Sequence, residues 1–378
     1  MPDRDGPLPA ALRPMARLAE AVYARAVARR NAAYDAQARG HALAPSRRTI
    51  TLDRPVVSVG NLSVGGTGKT PAVQLICRWL LLAGHRPAIA MRGYGARRGL
   101  SDEAELHRAA LPEVPLAVGP DRVGRIIELL ASPAGQDVDV IVLDDGFQHR
   151  RLGRQLDVVL IDASRPVLDE RLLPAGWLRE PIDGLARAHA VVLTHADRAD
   201  AHALAGLERA LAERHPHLLL ARARHAWQGL RLDVDPPGGA MRPIDWLAGR
   251  RYVLACAIGR PRAFIEQAER AFGPPTQAIV LRDHDPYRPG TVQRLRRACQ
   301  GADALLVTEK DWTKLQARVR TDPQSDTQGW PCPIARPALS LEIVAGEQAL
   351  RQRVLEAARW QDAPSQDDPS ARLARDGA

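Results

Sequence analysis

Apolar runs and polar breaks alternate along this chain in a strand, turn, helix rhythm. Val56-Val57-Ser58-Val59 is a short β-branched run that meets a glycine-rich stretch from Gly60 to Thr70. Apolar positions then recur at helical spacing, at Val73, Leu75, Ile76, Trp79, Leu80 and Ala83, with Gly84 as the stop. Pro87 to Met91, Val138 to Leu143, Leu156 to Ile161 and Ala190 to Thr194 read as further strands, and Val123 to Leu130 as a helix. From about 215 to 232 the pattern turns irregular, with Leu218-Leu219-Leu220 and Gly229 to Leu232 as candidate short strands. Pro236-Pro237-Gly238-Gly239 then reads as an inter-domain connection. A second series follows: strand Tyr252 to Ile258, helix Ala263 to Phe272, strand Gln277 to Leu281, helix Thr291 to Gln300 and strand Ala304 to Val307. Strands alternating with helices predict an α/β protein with parallel sheets, one domain over 1–222 and a smaller one over 223–360. Residues 361–378, rich in Asp, Pro, Ser and Gln, predict a disordered tail.

Ahead of the first strand, Leu8, Leu12, Met15, Ala19, Val22, Tyr23 and Ala26 recur at three- and four-residue steps and make one apolar stripe. Arg13, Arg17 and Arg25 fall off that stripe, and Arg29 and Arg30 close the segment. The pattern predicts an N-terminal amphipathic helix, either lying in an anionic membrane interface or packed on the domain.

Composition narrows the partners. A formal net charge of +9 points to an anionic partner: nucleic acid, an acidic membrane surface or a phosphorylated substrate. Aromatics make up only 4% and interleave with no basic patch, which makes nucleic acid the weakest of the three, and no nucleic-acid partner is expected. Cys77, Cys256, Cys299 and Cys332 are scattered without metal-ligand or disulfide spacing, which fits a reducing cytosol. No apolar run approaches the roughly 18 residues of a spanning helix, and the N-terminus lacks a signal-peptide core. All but three of the 53 basic residues are arginine, and one of the three lysines, Lys69, sits in the glycine-rich turn.

That turn has the chemistry of a phosphate-binding loop. Over Ser63-Val64-Gly65-Gly66-Thr67-Gly68-Lys69-Thr70, glycines let backbone N–H groups curl around a polyphosphate, Lys69 neutralises the outer phosphates, and Thr70 places a hydroxyl for Mg2+. The strict pattern is broken at one position, where Ser63 stands in place of the first glycine. The apolar strand 138–143 ends in Asp144-Asp145-Gly146-Phe147-Gln148-His149, the shape of a Walker B element whose carboxylates hold Mg2+. Three other polar turns follow strands: Arg92-Gly93-Tyr94-Gly95, Arg282-Asp283-His284-Asp285, and Thr308-Glu309-Lys310-Asp311. Spacing alone reads Asp102 as a solvated loop carboxylate and leaves His284 between a structural and a proton-handling role. Thr194-His195-Ala196-Asp197 is faintly similar to the guanine-reading motif of GTPases, but His195 replaces its lysine and no base specificity is assigned.

Taken together with Leu172-Leu173-Pro174-Ala175-Gly176 and Leu178-Arg179-Glu180-Pro181, these motifs resemble the tetraacyldisaccharide 4'-kinase family over about residues 10–357, with Asp144 to His149 as the most specific string. The resemblance implies a P-loop NTPase-like α/β/α domain followed by a second, smaller α/β/α domain, with the site in the cleft between them. It implies transfer of the γ-phosphate of ATP to the 4'-hydroxyl of an acylated glucosamine disaccharide 1-phosphate. The expected place is the cytoplasmic face of the inner membrane, held there peripherally or monotopically. Carried over by position, Ser63 to Thr70 hold the nucleotide, Lys69 acts on the phosphates, and Thr70, Asp144 and Asp145 organise Mg2+. Asp102 with His284 forms the acid-base pair, and Arg92, Gln148, His149, Glu180 and Lys310 line the acceptor cleft. The chain departs from the family in having six residues between Gly95 and Asp102 where a longer insertion is usual, Trp177 in place of a common proline, and Val167 to Glu170 in place of a glycine-containing turn. A membrane-associated P-loop ATPase of the partitioning type shares the Gly-Gly-x-Gly-Lys-Thr core but expects lysine where Val64 stands, and a non-catalytic nucleotide-binding scaffold is the third alternative.

Overall fold

A computed structural model of the chain describes residues 12–40, 48–93, 102–165, 167–233, 240–259, 261–283, 285–321 and 330–359. His284, the Pro236 to Gly239 connection, the segment 94–101 and the expected tail lie outside the described residues. The chain divides into two compact units: residues 1–93, 111–224 and 341–378, and residues 94–110 and 225–340.

The first unit is built on parallel strands: β1 (Val56–Asn61), β2 (Pro87–Met91), β3 (Leu116–Val118), β4 (Val140–Asp144), β5 (Leu156–Asp162), β6 (Ala190–Thr194) and the first part of β7 (Leu219–Asp233). They lie in the order β7-β6-β5-β1-β4-β2-β3. β1, β2, β4, β5 and β6 are buried at every position, which is why they read as continuous apolar runs rather than as alternating ones. On one face, α5 (Ala201–Arg214) sets Leu204, Leu207 and Leu211 against Val159, Ile161, Val191 and Leu193. Each such leucine contributes roughly 1.5–3 kcal/mol by leaving water. α2 (Lys69–Leu82) packs on β1 and β4, and α4 (Arg122–Leu130) covers β2 and β3 through Val123 and Ile126. α9 (Glu347–Ala358) packs on α2, β1 and β5. That helix and the end of β12 (Ile334–Ala345) therefore belong to the first unit, although the single sequence boundary near 222 assigned them to the second.

The N-terminal helix α1 runs Arg13–Ala38. The expected apolar stripe lies outward, with Leu12, Met15 and Val22 44%, 71% and 63% exposed and Leu18 beside them at 75%; Tyr23, at the edge of the stripe, is half-buried, and Ala16 and Val27, off it, form the buried face.

In the second unit, β9 (Tyr252–Cys256), β10 (Gln277–Val280), β11 (Ala304–Leu306) and β12 pair in parallel in the order β10-β9-β11-β12. The last part of β7 pairs antiparallel with β8 (Ala240–Arg242). α6 (Pro261–Phe272) and α7 (Pro289–Ala298) join the strands, as the spacing predicts. The region expected to be irregular, 215–232, is instead mostly the single strand β7. α3 (Asp102–Ala110) packs on α8 (Glu309–Thr321), so Asp102 begins a helix of the second unit and is not a loop carboxylate of the first.

Candidate active site

The carboxyl ends of β1 and β4 lie side by side, with Val59 in register with Asp144, so the loops leaving these strands are neighbours by construction. Their close approach needs Gly60: a Cβ there would come within 2.6 Å of Phe147 Cβ and 2.7 Å of its backbone nitrogen. After β1 the chain turns through Gly65 at φ 119°, a conformation that side chains rarely adopt, and a Cβ on Gly65 or Gly66 would meet nothing within 4 Å. This open glycine cradle leads directly into α2, whose N-terminus begins at Lys69. It has the shape and the positive helix end that a polyphosphate requires. Asn61 Nδ2 donates to Thr67 Oγ1 at 2.9 Å and fixes the loop from within. The Val64 N–H donates to Trp177 O at 2.8 Å and anchors the loop to the segment before Arg179.

Asp145 stands at the centre of the charges. Its backbone sits at φ 52°, in the left-handed region that Asp tolerates at some cost. Lys69 Nζ is 3.6 Å from Asp145 Oδ1, and Arg179 Nη1 reaches both carboxylate oxygens at 2.7 and 2.8 Å. Burial pushes the Asp145 carboxyl up, but Lys69, Arg179 and Arg122 outweigh it and hold the group below the usual carboxylate range. Asp144, one residue earlier, is buried at the end of β4.

The turn from Asp145 to His149 is held by its carbonyls. Arg122 Nη1 donates to Asp145 O at 2.8 Å, Arg154 Nη1 to Gly146 O at 2.8 Å, and Arg187 Nη2 to Phe147 O at 3.2 Å. Gln148 Nε2 donates to Asn61 O at 2.9 Å and ties the turn to the phosphate loop. His149 is half-buried among these cations. Burial, followed by Arg122, Arg154 and Arg151, pushes its imidazole down to about 4. It is therefore neutral at pH 7.

Glu180 is fully buried and accepts from Arg187 Nη2 at 2.8 and 2.9 Å, and the Arg187 guanidinium lies 3.8 Å from the Phe147 ring centroid. The expected site residues Lys69, Asp145 and Gln148 are thus brought into one network, joined by Arg179, to which spacing assigned no role, while Glu180 is held separately by Arg187. Arg179 belongs to the motif Leu178-Arg179-Glu180-Pro181, but in a chain so rich in arginine nothing marked it out. Arg92 is exposed just past β2. Lys310 is exposed on α8, and Asp102 opens α3; both belong to the second unit.

The donor set of Thr70, Asp144 and Asp145 is a hydroxyl and two carboxylates, which are hard oxygen ligands. It suits Mg2+, which commonly takes one or two carboxylates and completes its shell with water and substrate phosphates.

A family model described as tetraacyldisaccharide-1-P 4'-kinase matches residues 10–358. A tetraacyldisaccharide 4'-kinase of Geobacter sulfurreducens is 38% identical over 309 residues, covering 76% of this chain and 83% of the relative. One from Anaeromyxobacter dehalogenans (strain 2CP-C) is 39% identical over 334 residues, covering 83% and 84%. Among solved structures, LpxK from Aquifex aeolicus in complex with ATP shares the fold, with a TM-score of 0.68 at 24% identity, covering 92% of this chain and 98% of that one.

Proposed function

The chain belongs to the tetraacyldisaccharide-1-P 4'-kinase family, and from this we infer that it is a lipid kinase moving the γ-phosphate of ATP to the 4'-hydroxyl of a tetraacylated glucosamine disaccharide 1-phosphate in lipid A biosynthesis. The observation that carries the reading at the level of chemistry is the pairing of the open Gly65-Gly66 cradle with the Lys69, Asp145 and Arg179 cluster beside it.

In this reading the loop from Ser63 to Thr70 cradles the phosphates. Lys69 leaves Asp145 for the β- and γ-phosphates, and Arg179, equally able to exchange its carboxylate for a phosphate, stabilises the equatorial charge that grows during transfer. Thr70, Asp144 and Asp145 would hold Mg2+, which would supply positive charge against the phosphates. Asp102, oriented by His284, accepts the proton of the 4'-hydroxyl. Arg92, Gln148, neutral His149 and Lys310 contact the acceptor, whereas Glu180, expected to line the same cleft, is fully buried against Arg187 and supports it from within. The protein acts at the cytoplasmic face of the inner membrane, where Met15, Leu18 and Val22 on α1 contact the lipid surface and Arg17, Arg25 and Arg29 meet its anionic headgroups. No described helix is long and apolar enough to cross a membrane.

The test is transfer from γ-labelled ATP to tetraacyldisaccharide 1-phosphate in detergent. Stoichiometric labelling of the glycolipid is expected. ATP hydrolysis with no labelled lipid would overturn the reading in favour of an ATPase switch.

A further inference from the structure

The inward face of α1 does more than pack. Its polar side chains reach the backbone and side chains of the Arg171 to Glu180 loop. The Tyr23 hydroxyl donates to Arg179 O at 2.8 Å, and Asn31 Nδ2 donates to Glu180 Oε2 at 3.0 Å. One turn before Tyr23, Glu20 accepts from Leu172 N at 3.0 Å and from Arg171 Nη2 at 2.6 Å. The loop is gripped from its other side by the phosphate loop, where Val64 N donates to Trp177 O at 2.8 Å and Arg179 N to Leu62 O at 2.7 Å. Arg179 then clasps Asp145.

We propose that Tyr23 and Asn31 are positioning residues for phosphoryl transfer: they fix the Arg179-Glu180 pair from α1, so that the Arg179 guanidinium is presented at the position where Asp145 and Lys69 converge. The inference rests on the kinase reading above. Two physical points support it. Arg179 has a long, rotatable side chain, and its carbonyl and the adjoining Glu180 carboxylate are both pinned by the same helix, which removes backbone freedom that the guanidinium would otherwise transmit. Catalysis by charge stabilisation depends on donors held in place beforehand, and a displacement of about 1 Å can cost as much as 100-fold in rate. The helix thereby joins two tasks on opposite faces, with Met15, Leu18 and Val22 outward and Tyr23 and Asn31 inward.

The test uses the full-length chain carrying Tyr23→Phe, which removes one hydroxyl and keeps the ring, and Tyr23→Phe/Asn31→Ala. With labelled ATP and detergent-dispersed tetraacyldisaccharide 1-phosphate, kcat should fall at least about tenfold in the double variant and less in Tyr23→Phe. KM for ATP should stay within about threefold, because the phosphate loop is untouched. Combining Tyr23→Phe with Arg179→Ala should cost no more than Arg179→Ala alone, a non-additivity that a merely structural role would not produce. Wild-type kcat in the double variant would overturn the inference, as would fully multiplicative losses with Arg179→Ala. A wild-type chain that labels no glycolipid would instead overturn the kinase reading, so the two failures are distinct.

Discussion

Arg179 and Asp145 are joined through one guanidinium nitrogen that lies 2.7 Å from one carboxylate oxygen and 2.8 Å from the other, while Lys69 approaches the first of these oxygens at 3.6 Å. Two cations thus share one carboxylate beside an open glycine cradle. The arrangement holds positive charge ready without leaving it unpaired, and either cation can turn to phosphate when nucleotide arrives.

The unequal distances make the two cations separable by mutation. Lys69→Ala should lower kcat by about 100-fold or more, the scale of losing a preorganised charge at a developing oxyanion. Its melting temperature should move by only a few degrees, because the pair is long at 3.6 Å and Arg179 still holds Asp145 once Lys69 is removed. Thermal melts and steady-state kinetics on the same preparation check both halves. Turnover like that of the unsubstituted chain would remove Lys69 from the transfer step.

Asp102 and His284 are expected to work as one proton-handling unit. Asp102→Ala and His284→Ala should each be strongly impaired in kcat, and the double variant should be hardly worse than the poorer single one, since groups acting together lose their effect only once. Fully multiplicative losses would separate them.

His149 supplies a pH signature. Its ordinary value of 6.5 is pushed down to about 4 in the fold, chiefly by burial and then by Arg122, Arg154 and Arg151. Between those values the unfolded chain binds the proton and the folded chain does not, so stability rises with pH through this window. The contribution is complete above 6.5 and is lost as pH falls toward 4. Its ceiling is about 3 kcal/mol, reduced by solvent screening because the ring is only half-buried. His149→Gln should flatten the dependence of the urea midpoint on pH between about 4 and 6.5, while leaving the slope above 7 unchanged. An identical slope in both proteins would contradict the assigned cause.

Much of this was legible beforehand because local chemistry dictates it. Buried parallel strands such as Val140–Asp144 and Ala190–Thr194 announce themselves as unbroken apolar runs, and the glycine-rich turn after β1 has few other uses. Less visible were features set by distant partners. β7 reads as irregular because arginine, histidine, glutamine and glycine interrupt its apolar residues, and its pairing with β6 and β8 is what reveals a strand. α5 begins with Ala201, His202 and Ala203, a weak apolar signal whose clearest mark is Asp200 capping Ala203 N at 2.9 Å. The return of α9 to the first unit leaves no trace in spacing, since it depends on contacts with residues almost 300 positions earlier. Arg179 was hidden by abundance: among so many arginines, only geometry distinguishes the one that holds Asp145.

The N-terminal helix shows how a correct pattern can take in one residue of the opposite face, and that decides how its membrane role should be tested. The stripe read from spacing grouped Tyr23 with Met15 and Val22, but Tyr23 points inward to Arg179 O, whereas Met15, Leu18 and Val22 point outward. Deleting residues 1–30 would remove both sets at once and would confuse attachment with positioning of Arg179. Replacing Met15, Leu18 and Val22 together by serine changes the outward face alone. Each exposed side chain that enters the acyl boundary contributes on the order of 1–3 kcal/mol, so the triple variant should lose most of its sedimentation with anionic vesicles. Its KM for acceptor presented in those vesicles should rise, and its KM for ATP should not. Raising salt should weaken the binding of the unsubstituted protein in part, by screening Arg17, Arg25 and Arg29, and the variant's residual binding more completely, since little but charge is left to hold it. Sedimentation of the triple serine variant equal to that of the natural sequence would mean that the outward face of α1 does not attach the protein to membranes.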